Sequence, residues 1–92
     1  MNNVQFENEK ALCLTNMKEK LEEILEQKHE IETCDNPLKA GFVGIGYPLL
    51  QAQMRGMIEY YNILCELNGF DPESEYTYKR IMVEVDLLNL IG

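Results

Sequence analysis

The side chains best suited to acid–base or nucleophilic chemistry are few in this sequence. There is one histidine, His29, and there are three cysteines, Cys13, Cys34 and Cys65. Glu26 and His29 have the Glu-x-x-His spacing of di-iron and di-manganese bundles, but such a site needs a second pair and further carboxylates. A cysteine nucleophile needs a base, which only His29 could provide here. We predict a protein that is not an enzyme and holds no metal or cofactor; catalysis through Cys34 or His29 is the alternative.

A glycine-bearing stretch, residues 33–47, is the most suggestive candidate for a binding site. Helical periodicity stops at Thr33, and Asn36-Pro37 is a turn signal because the proline ring disfavours helical geometry in the residue before it. Pro48 fits the first turn of a following helix. Residues 33–47 are therefore predicted to form a long loop whose end presents free backbone N–H groups, and such groups can hold an anion.

Polar side chains suited to a phosphate-bearing ligand lie close to that loop in the sequence. The group supplies two cations, a stacking ring and an amide, and it leads to a predicted ligand site made of Lys39, Gly44, Gly46, Tyr47, Gln51 and Arg55. Two simpler interpretations stay open. The loop can be a glycine-relieved connection that covers the end of the helices, and Arg55 can pair with Glu59 one turn later.

Acidic residues outnumber basic ones. Eight Lys and Arg against 16 Asp and Glu give a net charge of −8, so the overall field repels phosphate backbones, and we predict no direct binding to nucleic acid. The same field suits a basic protein surface. The predicted acidic docking face is the row of glutamates on the first helix, made of Glu19, Glu22, Glu23, Glu26 and Glu30.

Apolar spacing predicts an all-α fold of three helices in a single domain over residues 1–92. The first helix covers about residues 7–32, the second follows Pro48, and the third covers residues 73–90; a strand is the minority interpretation of its β-branched segment. Asn68-Gly69-Phe70 reads as a helix stop, and Asp71-Pro72 as a cap for the third helix. The last two helices are predicted to form an antiparallel hairpin.

Large apolar side chains are more numerous than a three-helix domain of this size readily hides. Because Tyr and Met are enriched at protein interfaces, the chain is predicted to form a homo-oligomer. The predicted interface consists of Met54, Met57, Tyr60, Tyr61, Leu64, Tyr78 and Met82. A compact monomer with a well-filled core would carry a similar stripe.

The cysteine spacing and the N-terminal composition indicate a compartment. An odd cysteine count without a Cys-x-x-Cys pair is unlike a disulfide framework or a zinc site. The first ten residues have no basic start followed by an apolar run, and no stretch of eighteen apolar residues occurs. We predict a cytoplasmic protein with no membrane span.

The segment from Tyr47 to Gly69, with its apolar-Gln-x-x-x-Met-x-x-Tyr pattern, resembles small helical-hairpin accessory proteins of tailed phages. That general type includes oligomers that sequester cyclic nucleotides made by bacterial defence systems, in the host cytoplasm. The resemblance implies an anti-defence protein that sequesters a nucleotide-like ligand or a host factor; its ligand motifs are not recognisable here. The alternative is an acidic inhibitor or adaptor that docks on a basic surface, such as that of a nucleic-acid enzyme. The Gln53-Met54-Arg55-Gly56 step is also similar to small helical proteins of Gram-positive bacteria.

Overall fold

Residues 2–33 and 35–88 are described by a computed structural model of the chain, with the side chains of residues 37–45 outside the description. Three α helices account for most of this part: α1 (Asn3–Thr33), α2 (Pro37–Leu67) and α3 (Tyr76–Leu87). A short 3₁₀ helix, Pro72–Ser74, precedes α3. The prediction of an all-α fold with three helices is confirmed, and no strand occurs within the described residues.

The two long helices run antiparallel along each other. The Tyr60 hydroxyl of α2 donates to Glu9 Oε1 of α1 at 3.0 Å, whereas Lys20 Nζ, eleven residues further along α1, donates at 2.9 Å to Gln53 Oε1, which lies earlier in α2. Contacts that advance along one helix and retreat along the other define an antiparallel pair. The resulting molecule is a rod whose Cα atoms extend over 51 × 20 × 18 Å.

The predicted long loop at residues 33–47 is wrong. The backbone of α2 is helical from Pro37 onward, so residues 37–47 of the predicted loop belong to a helix. Pro48 consequently lies inside the helix, where it has no N–H to donate to the carbonyl oxygen four residues earlier. Proline is also a favoured first residue of a helix, and this role belongs to Pro37 instead.

The end of α2 has the predicted stop. Gly69 has a φ of 66°, a left-handed conformation that glycine adopts at little cost. The Phe70 N–H donates to the Cys65 carbonyl at 2.9 Å and the Gly69 N–H to Glu66 at 3.1 Å, which together form a Schellman motif. Asp71 caps the 3₁₀ helix through the Glu73 N–H at 3.0 Å, so α3 begins at Tyr76 rather than at residue 73.

The core lies where α3 packs onto the α1–α2 pair. The Tyr61 and Tyr78 rings stack with centroids 4.7 Å apart, and the Tyr78 hydroxyl donates to Asn62 Oδ1 at 3.0 Å. These contacts join α3 to α2, although an antiparallel orientation of the two stays a prediction. The buried apolar side chains are Phe6, Cys13, Leu14, Met17, Leu21, Ile24, Leu50, Met54, Ile58, Tyr61, Leu64, Cys65, Tyr78, Ile81 and Val85.

Candidate functional site

An open groove runs between α1 and α2 on the side away from α3. Its volume is about 640 Å³, which is in the range of pockets that bind small molecules. The helices supply a mixed lining of polar and apolar side chains. The lining residues are Glu9, Leu12, Cys13, Asn16, Lys20, Gln53, Gly56, Met57 and Tyr60.

Hydrogen bonds between the helices close both ends of this groove. At one end the Tyr60 phenol donates a hydrogen bond to the Glu9 carboxylate. This hydrogen bond, and secondarily the negative charge of Glu9, raises the pKa of Tyr60. At the other end Lys20 binds Gln53 and also forms an ion pair with Glu23 at 3.0 Å. The one lysine of the groove is therefore already partnered within the chain, which makes the groove poorly suited to a multiply charged phosphate.

The thiol in the groove is not activated. Burial, and secondarily the Glu9 charge, raises the pKa of Cys13 above its ordinary value. Burial likewise raises the pKa of Cys65, which lies in the core. A nucleophilic cysteine needs the opposite shift. Cys34, which the enzymatic alternative invokes, lies outside the described residues.

The structure separates the residues of the predicted ligand site. Gly44 and Gly46 lie inside α2, where backbone N–H groups belong to the helical hydrogen-bond ladder, so the free helix end that motivated the site is absent there. Tyr47 packs against the core. Gln51 is half-buried and Arg55 is exposed, each one turn further along α2. The side chain of Lys39 lies outside the description.

The residues of the predicted oligomer interface are divided between core and surface. Met57 and Met82 are partly buried against the core, and Tyr60 is exposed. The other four, Met54, Tyr61, Leu64 and Tyr78, lie inside the subunit. Their burial needs no second copy, because α3 and α1 already cover them.

The predicted acidic face lies on the surface of α1. Glu19, Glu22, Glu23 and Glu26 are exposed, whereas Glu30 is half-buried. Of these, Glu23 is bound by Lys20. At 100° per residue the five side chains fall within an arc of about 100° on the side of α1 opposite the core.

Sequence reasoning missed most residues of the groove. Leu12, exposed on α1, and Gly56, whose position leaves open space where a Cβ would stand, both belong to it. A signal was present in the spacing of exposed residues on α2, where a second row runs beside the core-facing one. This row, here called the α2 strip, consists of Leu49, Gln53, Gly56, Tyr60, Ile63 and Leu67.

The described part of the chain holds neither a cluster of metal-ligating side chains nor a membrane-spanning helix. No group of three or more His, Cys, Asp or Glu residues is close enough together to hold a metal ion there. Nor does the described part include a helix of the length and apolar character needed to cross a membrane. Within the described residues, no further ligand groups of the kind that a dinuclear site requires lie beside the Glu26–His29 pair.

Comparisons with known proteins assign the chain to no family, so its class rests on its fold. Its sequence matches no protein-family model, and neither the curated proteins nor the solved structures give a match. The class established here is an all-α protein of three helices built on a long antiparallel pair. The resemblance to phage accessory proteins stays a prediction.

Proposed function

We propose that this chain is a non-enzymatic binding protein that docks on a basic protein surface through the acidic outer face of α1. The observation that carries the proposal is the position of Glu19, Glu22 and Glu26, which are exposed together on the side of α1 opposite the core. The docking surface is thus a continuous side of a 31-residue helix, not a set of charges scattered over the molecule.

The spacing of these glutamates costs stability that a basic partner would offset. The pairs Glu19/Glu23 and Glu22/Glu26 are one turn apart, and like charges at this spacing destabilise a helix by about 0.2–0.5 kcal/mol each. Lys20 neutralises only Glu23. A surface rich in Lys or Arg would remove the repulsion and gain on-rate from electrostatic steering.

Charge reversal tests this function. Poly-L-lysine serves as the probe, and its affinity for fluorescently labelled protein is measured by anisotropy at several salt concentrations. The test variant is Glu19→Lys/Glu22→Lys/Glu26→Lys. The matched control is Glu66→Lys/Glu73→Lys/Glu84→Lys, which reverses three exposed glutamates elsewhere and changes the net charge equally.

The α1 variant should lose more affinity and more salt dependence than the control. Equal losses in the two variants would mean that the probe senses net charge alone, and the docking face would be rejected. Circular dichroism of both variants checks that the helices are retained.

A second candidate function is sequestration of a nucleotide-like ligand by a homo-oligomer of phage-accessory type in the host cytoplasm, and the observation that favours it is a row of three polar side chains on α2, outside the groove. Tyr47, Gln51 and Arg55, one turn apart on α2, supply a ring, an amide and a cation for such a ligand. A thermal-shift screen with mono- and cyclic nucleotides tests it, because a ligand that binds only the folded state raises the melting temperature. A shift that disappears in Arg55→Ala supports it, and no shift with any nucleotide rejects it.

A further inference from the structure

The α2 strip has the spacing of a helix-pairing seam, although its Gln53 and Tyr60 hydrogen-bond to α1 at the edge of the groove. Its six residues follow one another at steps of four, three, four, three and four, which is the heptad pattern of helices that pack side by side. All six are exposed. The exposed fractions of the four large apolar members are 64% for Leu49, 53% for Tyr60, 48% for Ile63 and 81% for Leu67.

The strip is complementary to itself when reversed. The residues of the strip lie in pairs at equal distances before and after residue 58 along α2. These pairs are Gly56 and Tyr60, Gln53 and Ile63, and Leu49 and Leu67. A two-fold axis at this level would place each Tyr60 ring over the Gly56 of the other copy. Because nothing lies within 4 Å of a Cβ position at Gly56, that site is open space, here called the hole at Gly56, which a large side chain can occupy.

The charge pattern of the strip also suits a contact between copies. None of its six residues is charged, and depletion of charge is characteristic of interface cores. The row itself therefore brings no carboxylate into a contact between two chains of net charge −8. Two acids lie beside the strip. Glu9 accepts the hydrogen bond from Tyr60, and Glu59 stands one residue from the symmetry centre, so the two Glu59 side chains would approach each other.

The part of α1 that lies level with residue 58 of α2 is compatible with the same two-fold axis. Glu9 lies level with Tyr60 through their hydrogen bond, so the level of residue 58 corresponds to about residue 11 of the antiparallel α1. Leu12, 54% exposed, stands at that height beside the groove. The same two-fold axis would bring both copies of Leu12 together over the groove and cover it.

We propose that this chain forms an antiparallel homodimer through the α2 strip, with Tyr60 of each copy packed into the hole at Gly56 of the other. The dimer is independent of the acidic docking function. If two antiparallel copies are centred at residue 58, the part of each copy that lies beside the other ends near residue 21 of α1. Glu22, Glu26 and Glu30 lie beyond this overlap.

Sedimentation equilibrium of the full chain tests the dimer. The wild type should show a reversible monomer–dimer equilibrium, and Ile63→Glu and Leu49→Glu should weaken it by about tenfold or more, because each would bury an unpaired charge. Val83→Glu is the matched control, since Val83 is an exposed apolar residue on α3. It should leave the dimer unchanged. Circular dichroism confirms that each variant folds.

Two further variants distinguish this contact from a nonspecific apolar one. Gly56→Leu fills the hole and should weaken association, whereas Glu59→Gln removes a like-charge approach and should strengthen it. A wild type that is monomeric at every concentration would overturn the proposal. So would a dimer that Val83→Glu disrupts and the strip variants do not.

Disulfide trapping tests the orientation. Leu49→Cys and Leu67→Cys proteins, both in a Cys34→Ser background, are oxidised separately and as a mixture. An antiparallel strip predicts a disulfide only in the mixture, because residues 49 and 49 of two copies would be about 27 Å apart. Disulfides formed in each protein alone would show a parallel dimer and overturn the proposed packing.

Discussion

Lys10 is a charged residue in the interior, and its environment explains its burial. Its Nζ lies 3.1 Å from Glu7 and 3.4 Å from Glu75, and 4.2 Å from the centroid of the Phe70 ring. Phe70 in turn makes an edge contact with Phe6, with centroids 5.6 Å apart. Lys10 thus joins α1 to the segment between α2 and α3 by ion pairs and a cation–π contact.

Removal of Lys10 should destabilise the fold. Lys10→Ala loses the cation–π contact, the pairing with Glu75 and the packing of the aliphatic stem, and should lower the free energy of unfolding by about 2 kcal/mol. Lys10→Met keeps the stem and should lose about half of that. Urea unfolding measures both, with the exposed Lys18→Ala as the control. A loss in Lys10→Ala no larger than in the control would contradict this role.

The buried phenol of Tyr61 makes the free energy of unfolding depend on pH. Burial, and secondarily the adjacent Cys65 thiol, raises the pKa of Tyr61 far above its ordinary value of 10.0. Burial also raises the pKa of Tyr78 and of Cys65. The folded chain therefore keeps protons that the unfolded chain releases at alkaline pH, so the free energy of unfolding falls as pH rises above about 9.

Tyr61→Phe should reduce this alkaline loss. The Tyr61 hydroxyl is buried and has no hydrogen-bond partner of good geometry among the described residues, and an unsatisfied group of this kind costs about 1–3 kcal/mol. Its removal should leave the melting temperature at neutral pH unchanged or higher, and should make its decline toward alkaline pH shallower. Tyr76→Phe, at an exposed site on α3, is the control. A steeper alkaline decline in Tyr61→Phe would contradict the assignment.

At the scale of the elements, the spacing of apolar residues predicts where the helices lie. Local propensity is a poorer guide to where a helix begins. The spacing of Leu50, Met54, Met57, Tyr61 and Leu64 identified the core-facing row of α2, and Asn68-Gly69-Phe70 identified its end. Three glycines and Pro48 outweighed the apolar spacing upstream and led to a predicted loop. Packing of Tyr47 and Leu50 against the core shows how tertiary contacts override weak propensity in this stretch.

The candidate site was less predictable than the fold because exposure depends on where the third helix lies. The sequence shows two heptad rows on α2, one through Met54 and Tyr61 and the other through Gly56 and Tyr60. Only the position of α3 decides which row is covered within the subunit. Without that position, the sequence predicts an interface through Met54 and Tyr61 and does not single out the strip through Gly56.

Pro48→Ala distinguishes a continuous α2 from a helix that starts at Pro48. Inside a helix, proline costs about 3 kcal/mol relative to alanine because it removes a hydrogen bond and clashes with the preceding turn. Pro48→Ala should therefore raise the free energy of unfolding by about 1–3 kcal/mol, measured by urea unfolding at a fixed protein concentration. Pro72→Ala, at the start of the 3₁₀ helix, should not raise it. A neutral or destabilising Pro48→Ala would support the loop.

At the scale of the whole molecule, the rod shape makes the proposed dimer measurable by its length. The symmetry centre at residue 58 lies six residues, or about 9 Å, from the midpoint of α2. The two copies would therefore be displaced by about 18 Å along their common axis. Since one subunit extends over 51 Å, the antiparallel dimer should reach about 70 Å.

Small-angle X-ray scattering measures this length directly. At concentrations where the dimer dominates, the maximum dimension should be about 70 Å, and it should fall toward that of one subunit in Ile63→Glu. A parallel dimer in register would become thicker without becoming longer, because its two copies would not be displaced along the axis. A dimer no longer than 51 Å would thus exclude the pairing of Tyr60 with Gly56, since that pairing fixes the displacement.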